Sequence, residues 1–384
     1  MASPRSASRP ARPTARAIAT TAVLVLLLAA CASGTAPEPE VGASPAEPAD
    51  GDAVEDTEPT DEDEASDDTT DGDGRAEEAG GDASANPPVD PAEVGADELG
   101  VIPVMMYHQI REDGGSEWDM SPEEFRAELT AMFDAGFVPI RARDLVAGEI
   151  DVPAGRSPVV LTFDDSTRGQ AHLDDDGTFA TDTAMGILTE VAAAYDDVEP
   201  IASLYLITSS LFGGVADGPD IVRALHEHGM ELGNHTHTHA NLRSLSPDEA
   251  REELARAVVE ITDIVPDAEV VTLSLPFGIF PEERELAAAG VGESGRYEHA
   301  GVLLVGDRPA PSPFHADFDP LAIPRIKTLP DPEAEFGSAW WLDVMASSPS
   351  WRPYVSDGDP TTISFPADRA DELDPALEDR ANPY

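Results

Sequence analysis

Cysteine and lysine are almost absent from the chain. Its 384 residues include one cysteine, Cys31, and one lysine, Lys327, while the other basic residues are arginines. A single cysteine excludes an intramolecular disulfide and a cysteine-based zinc site. Any metal ion must therefore be held by histidine, aspartate or glutamate. The lack of lysine fits a high-salt habitat and equally a GC-rich genome, and both causes stay open.

Basic charge is scarce as a whole. The 76 acidic residues oppose 23 basic ones, and the formal net charge is -53. Such a surface repels nucleic acid and anionic lipid headgroups, whereas it attracts cations. We therefore predict that nucleic acid is not a partner, and we expect a monomer.

The longest apolar stretch lies near the N-terminus. It spans residues 17–30, follows an arginine-bearing segment, and ends in Ala30-Cys31. The stretch is too short to span a bilayer comfortably, but it has the length of the hydrophobic part of an export signal. Small residues before a cysteine match the cleavage site of bacterial lipoproteins. Residues 1–31 are thus predicted to be a lipoprotein signal peptide, with Cys31 lipidated. The exported chain would be held on the extracytoplasmic face of the cell membrane through lipid alone; the alternative is an ordinary secretory peptide with a chance cysteine.

Aliphatic residues nearly vanish over residues 32–98. Alanine, glycine, proline, threonine, aspartate and glutamate dominate this segment. It cannot bury enough apolar surface to offset its chain entropy, which predicts a disordered acidic linker. Residues 357–384 form a second acidic segment, for which we expect one strand around 361–365 and frayed final residues.

Between these segments, over residues 99–356, short apolar strands alternate with helices. Residues 101–107 and 158–163 are nearly continuously apolar, as in strands that are buried on both faces. Ser121 and Pro122 begin a helix, and another helix is predicted over 281–289. The alternation predicts a parallel α/β architecture, and about seven such units favour a barrel over an open sheet.

Two adjacent aspartates, Asp164 and Asp165, follow the second of these strands. The carboxyl ends of parallel strands are where sites are built. Neighbouring carboxylates repel each other unless a charge offsets them, and a metal ion does this for one while it leaves the other free to act as a base. The alternative is a pair of aspartates that caps the next turn.

Three histidines, His235, His237 and His239, alternate with threonines further along the chain. In a helical turn His235 and His239 share one face and His237 points away, whereas in an extended chain all three share a face. We predict that His235 and His239, together with one of the two adjacent aspartates, hold one metal ion. Two histidines and one carboxylate leave coordination positions open, which is typical of a catalytic metal.

A third segment, residues 275–278, carries proline and glycine around Phe277 after a predicted strand. These residues fix a tight turn whose N–H groups can stabilise an oxyanion, although an ordinary strand-to-helix loop is the alternative.

Together these segments resemble the polysaccharide deacetylases of carbohydrate esterase family four. Residues 162–165 resemble the first motif, 235–239 the second and 274–278 the third. The resemblance implies a distorted (β/α)-barrel of about seven strands and a metal that is usually zinc. It also implies that Asp164 is the base, that Asp165 is a metal ligand, and that the substrate is an acetylated polysaccharide. Residues 104–108 and 321–326 resemble the opening Met-Tyr-His strand and the closing strand of the subgroup acting on extracellular N-acetylglucosamine polymers.

The sequence departs from the family pattern in the groups that should support the base. Ser274 replaces the orienting arginine, Ser166 stands where glycine is usual, and no Leu-x-x-His motif supplies the acid histidine. The candidates for the acid are three histidines, His108, His299 and His315. We favour His108 because it ends a core strand, and we expect Arg325 to hold Asp164. These departures leave open the alternative of a catalytically weak glycan-binding lipoprotein. A second alternative, an O-acetyl esterase, stays open because the family that the chain resembles also contains xylan-type members.

Overall fold

The computed structural model describes residues 89–384 except 115, 117, 330 and 332. The predicted signal peptide, Cys31 and the linker up to residue 88 lie outside the described residues, and they stay predictions. In chain order the strands are β1 (Val104–Tyr107), β2 (Gln109–Ile110), β3 (Asp119–Met120), β4 (Phe137–Ile140), β5 (Ser157–Phe163), β6 (Ser203–Leu206), β7 (Glu231–Asn234), β8 (Thr272–Ser274), β9 (Ala289–Val291), β10 (Arg296–Glu298), β11 (Gly301–Leu303), β12 (Ile326–Lys327), β13 (Ile363–Phe365) and β14 (Ala381–Pro383).

The main sheet is parallel and curls into a distorted barrel. Seven strands follow one another in the order β11-β8-β7-β6-β5-β1-β12, and β4 pairs with β5 beside this path. The two ends approach each other, because Leu303 of β11 forms a parallel bridge with Ile323, just before β12. The Leu304 N–H donates to the Ile323 carbonyl at 2.9 Å. The predicted architecture is therefore confirmed.

The helices are α1 (Pro91–Val94), α2 (Pro122–Asp134), α3 (Ala142–Ala147), α4 (Ala184–Ala192), α5 (Gly218–Glu227), α6 (Pro247–Ile264) and α7 (Ser338–Ser347). The predicted start of α2 is confirmed, since Ser121 caps it and Glu124 completes a capping box. Gly136, at a φ of 89°, follows its end. In the described part of the chain, no helix has both the length and the apolarity that a bilayer crossing requires.

The helix predicted over residues 281–289 is wrong. Only a 3₁₀ turn, Arg284–Ala287, forms there, and the chain continues as β9, which pairs antiparallel with β10. Gly290 explains the difference, because a Cβ on it would lie 2.4 Å from the Tyr297 hydroxyl. The chain therefore lies directly against a buried tyrosine, and tertiary packing overrides the local helix propensity.

The sheet is covered on both faces, as predicted for parallel strands. Along β5, Val159 and Leu161 belong to the outer core shared with the helices, whereas Val160 belongs to the inner core of the barrel. Polar side chains enter this inner region near the carboxyl ends of the strands, among them Thr162 and Ser274, both fully buried. The site described below is built there.

The folded part extends further at both ends than predicted. Glu98, assigned to the linker, is buried, and its carboxylate accepts from the Ser364 N–H at 2.7 Å and the Tyr354 hydroxyl at 2.8 Å. Burial raises the pKa of Glu98 to about 8. The expected strand near 361–365 is present as β13, but the final residues are not frayed: β14 pairs with β13, and the Tyr384 hydroxyl donates to the Ala96 carbonyl.

Candidate active site

The two aspartates leave β5 through a left-handed turn. Asp165 has a φ of 79° and Ser166 a φ of 44°. Such a conformation costs about 1–3 kcal/mol for a residue with a side chain, which explains why the resemblance leads one to expect glycine at position 166. Ser166 is buried, and its hydroxyl accepts from the Ile207 N–H at 3.2 Å. The turn places Asp164 inside the barrel and Asp165, which is partly exposed, at its rim.

The histidine segment after β7 is neither a helical turn nor an extended strand. Thr236 and His239 have φ values of 65° and 58°, so both predicted backbone alternatives are wrong. The predicted pairing is nevertheless present, because His235 Nε2 and His239 Nε2 each lie 3.4 Å from Asp165 Oδ1. His237 points elsewhere, with its Nδ1 2.9 Å from Glu260.

The donor set of Asp165, His235 and His239 fits a divalent cation. One ligand atom from each residue lies within 4.8 Å of the others. His235 Nδ1 donates to the Ser274 carbonyl at 2.8 Å, so its Nε2 lone pair faces the other two ligands. Burial would lower the pKa of His235, but the carboxylates of Asp164 and Asp165 raise it. The same negative field favours a bound cation.

Asp164 and Arg325 form a buried bidentate ion pair, as predicted. Arg325 Nη1 donates to Asp164 Oδ1 at 2.8 Å and Nη2 to Oδ2 at 2.7 Å, and both side chains are buried. The guanidinium also donates to the Thr162 hydroxyl and the Leu304 carbonyl. Burial alone would raise the pKa of Asp164, but Arg325 holds it well below its usual value. Asp164 is therefore ionised at neutral pH.

Ser274 links the ion pair to His235, and sequence reasoning missed this role. Its hydroxyl accepts from Arg325 Nη2 at 2.9 Å and donates to Asp164 Oδ2 at 3.0 Å. Its carbonyl accepts from His235. The arginine that the resemblance places at this position is thus replaced by a serine together with Arg325 from the closing segment. No local signal reveals such a swap, because it depends on which strands face each other.

Of the three candidate acid histidines, His108 is the one at this site. Its ring packs against Trp118 at 5.1 Å between centroids, and its Nδ1 is buried with no hydrogen-bond partner among the described residues. Burial lowers the pKa of His108, although Asp164 and Asp165 oppose this effect.

The other two candidate histidines are bonded elsewhere. His299 Nδ1 contacts the Ala287 carbonyl at 2.8 Å, its Nε2 contacts Asn234, and burial lowers its pKa to about 4. His315 Nε2 lies 3.4 Å from Glu372. Both imidazoles therefore have partners away from the candidate metal ligands.

Phe277 forms a wall beside the candidate metal ligands. Its φ is 59°, its ring lies 4.7 Å from that of His239, and 57% of the residue is exposed. The N–H groups of Gly278 and Ile279 bond within the turn. The exposed ring therefore presents a flat apolar face to any ligand of the metal centre.

Part of the chain is similar to known proteins. Residues 151–292 match the family model described as Polysaccharide deacetylase. The match includes the two aspartates and the ligand histidines, but it begins after His108 and ends before Arg325. A chitooligosaccharide deacetylase from Bradyrhizobium sp. (strain ANU 289) is 25% identical over 156 residues, which cover 41% of this chain and 61% of that relative.

Two solved structures are also similar to part of this chain. The Streptococcus pyogenes deacetylase PplD, solved in complex with acetate, is 21% identical with a TM-score of 0.49, over 64% of this chain and 98% of that one. BC0361, a polysaccharide deacetylase from Bacillus cereus, is 19% identical with a TM-score of 0.46, over 59% and 64% of the two chains.

Proposed function

We propose that the chain, which carries a polysaccharide deacetylase domain, is a metal-dependent hydrolase that removes N-acetyl groups from an extracellular or cell-wall polysaccharide. The proposal rests on one observation: a candidate metal ligand and a buried, ionised carboxylate are adjacent residues in the sequence. Asp165 completes a three-residue ligand set with His235 and His239, while Asp164 is buried and ionised against Arg325.

Each residue has a separate task in this hydrolysis. Asp165, His235 and His239 would hold a divalent cation, zinc by the family resemblance, and the bound cation would lower the pKa of a coordinated water and polarise the acetyl carbonyl. Asp164 takes the proton of the attacking water, and Arg325 keeps that carboxylate ionised and oriented. The exposed ring of Phe277 lies against the bound sugar beside the ligands.

His108 is proposed to protonate the leaving nitrogen. Its change to glutamine is expected to slow N-acetyl hydrolysis by about 10²–10⁴-fold. Hydrolysis of an O-acetyl ester should slow less, because an alkoxide is a better leaving group than the amide anion that would depart if the nitrogen were not protonated. The check is the ratio of the two rates for wild type, His108→Gln and the control His315→Gln. Equal losses on both substrates would place the proton donor elsewhere.

An acetate-release screen with metal control tests the proposed function. We expect the full chain to release acetate from chitin oligomers or another N-acetylated glycan, to stop after chelation, and to recover when zinc is added back. Acetate from acetylated xylan alone selects the O-acetyl esterase. Metal-dependent glycan binding without acetate from any substrate selects the binding lipoprotein; the Asp164–Arg325 pair answers one of the two departures that motivate this alternative, the missing arginine.

A further inference from the structure

The ligand loop, residues 235–239, has a main chain that its own residues do not favour. Thr236 and His239 have φ values of 65° and 58°, in a region that residues with a Cβ adopt rarely. Such a conformation persists only where the surrounding structure holds it in place. The positions of the His235 and His239 imidazoles therefore depend on contacts outside the loop.

The side chain of Asn234 holds the beginning of this loop. Asn234 is the last residue of β7 and is fully buried. Its Oδ1 accepts from the Thr236 N–H at 2.7 Å, and its Nδ2 donates to the Leu254 carbonyl in α6 at 3.0 Å. A main-chain N–H can only donate and a carbonyl can only accept. These two bonds therefore fix which way the amide points.

The remaining donor of the Asn234 amide faces His299. Asn234 Nδ2 lies 3.1 Å from His299 Nε2, and His299 Nδ1 lies 2.8 Å from the Ala287 carbonyl. Because the carbonyl can only accept, Nδ1 carries the proton and Nε2 accepts from the amide. Burial lowers the pKa of His299 to about 4, so the imidazole is neutral at neutral pH, as this arrangement requires.

A small hairpin holds His299 in its place. His299 directly follows β10, is buried, and has its ring 5.3 Å from that of Tyr297. The Tyr297 hydroxyl donates to the Leu286 carbonyl at 2.7 Å. Both rings are thus bonded to carbonyls of the 3₁₀ turn Arg284–Ala287. The hairpin of β9 and β10, which replaces the predicted helix, therefore places a fixed acceptor against Asn234.

We propose that His299 is a positioning residue for the metal centre and acts through Asn234 on the backbone of the ligand loop. His299 fixes the Asn234 amide, and the amide fixes the turn at Thr236. This turn sets where the imidazoles of His235 and His239 lie. The inference rests on the proposed function, because it concerns the metal ion that this function requires. Replacing a group that orients metal ligands from behind typically lowers metal affinity by about 10–100-fold.

The test is zinc affinity, measured on the full chain at neutral pH by competition with a chromogenic chelator, so that no turnover is needed. His299→Leu removes both ring nitrogens and should weaken zinc binding by about 10–100-fold. His299→Gln keeps one donor and one acceptor, and it should recover most of this affinity. The matched control Tyr297→Phe loses a buried hydrogen bond in the same hairpin but keeps His299, and it should bind zinc like wild type.

A double variant tests the route through Asn234. Asn234→Ala should weaken zinc binding at least as much as His299→Leu, because it also removes the acceptor for the Thr236 N–H. Adding His299→Leu to Asn234→Ala should then lower the affinity no further. Losses that multiply in the double variant overturn the inference. It is also overturned by wild-type affinity in His299→Leu, or by equal losses in His299→Leu and Tyr297→Phe.

A measurement on the unmodified chain keeps the inference testable if His299→Leu does not fold. Long-range proton–nitrogen NMR spectra of the histidine-labelled chain report which ring nitrogen carries the proton. The signal of His299 is identified by its absence from His299→Gln. We expect a neutral ring with its proton on Nδ1. A proton on Nε2 would leave the Asn234 amide without its acceptor and would contradict the positioning role.

Acetate release, measured on the same zinc-loaded samples, separates this inference from the proposed function. If no acetylated glycan yields acetate but zinc affinity still falls in His299→Leu and returns in His299→Gln, the proposed function fails and the positioning role stands. If wild type releases acetate with zinc and His299→Leu binds zinc as tightly as wild type, the proposed function stands and the positioning role fails.

Discussion

An Asp164→Asn chain is expected to release acetate about 10²–10⁴ times more slowly than wild type. Asparagine keeps the size of the side chain, and its oxygen still faces Arg325, but it cannot take a proton from water. The ligand set of Asp165, His235 and His239 is unchanged, so the zinc content should stay the same. The check is the initial rate of acetate release, with zinc determined on the same sample.

The matched control for this change is Asp176→Asn. Asp176 lies in an exposed loop, where its carboxylate accepts from Thr178. The Asp176→Asn variant loses the same negative charge away from the site and should keep the full rate of acetate release. Wild-type acetate release by Asp164→Asn contradicts its assignment as the base. A loss of activity that parallels a loss of zinc would instead make Asp164 part of the metal-binding set.

Replacing Arg325 by methionine is expected to destabilise the chain by about 3–5 kcal/mol. The change leaves the carboxylate of Asp164 buried without its partner, since both side chains are nearly inaccessible. Activity should fall as well, because Arg325 is what holds the pKa of Asp164 low. Urea unfolding of the metal-loaded chain measures the free energy, and Arg223→Gln should change it by less than about 0.5 kcal/mol.

A double-mutant cycle separates the ion pair from simple packing. Asp164→Asn/Arg325→Met leaves no unpaired charge, so it should be more stable than the sum of the single changes, by about 0.5–3 kcal/mol. Because the native pKa of Asp164 is depressed, the contribution of the pair is present at neutral pH. It is lost as the pH falls below the usual aspartate value of about 4. The gap between wild type and Arg325→Met should therefore shrink on acidification, and strictly additive effects at neutral pH would contradict the account.

The features that sequence predicted well are local ones. The serine cap of α2 and the buried strand before Asp164 depend on neighbouring residues alone. The ligand pair His235 and His239 was predicted from spacing, although the backbone between the two residues is irregular. It turns because the Asn234 side chain accepts from the Thr236 N–H, and two residues adopt positive φ values.

What sequence did not predict depends on contacts between distant segments. The hydrogen bonds of Ser274 with Arg325 and with Asp164 require the register of three strands. The strand at residues 289–291 forms because Gly290 packs on Tyr297. The acidic C-terminal segment packs on the domain because Phe365 and Leu373 are buried, and it meets the N-terminal end through the Ser364–Glu98 hydrogen bond; overall composition reveals neither contact.

The most direct test of the metal-dependent deacetylase is a zinc titration. Zinc is added in steps to the chelated full chain, and acetate release from an N-acetylglucosamine oligomer is measured at each step. The rate should rise with zinc and level off at about one equivalent per chain, as expected for a single site. A rate that does not depend on zinc, or no acetate at any zinc level from any acetylated glycan, would contradict the proposed function.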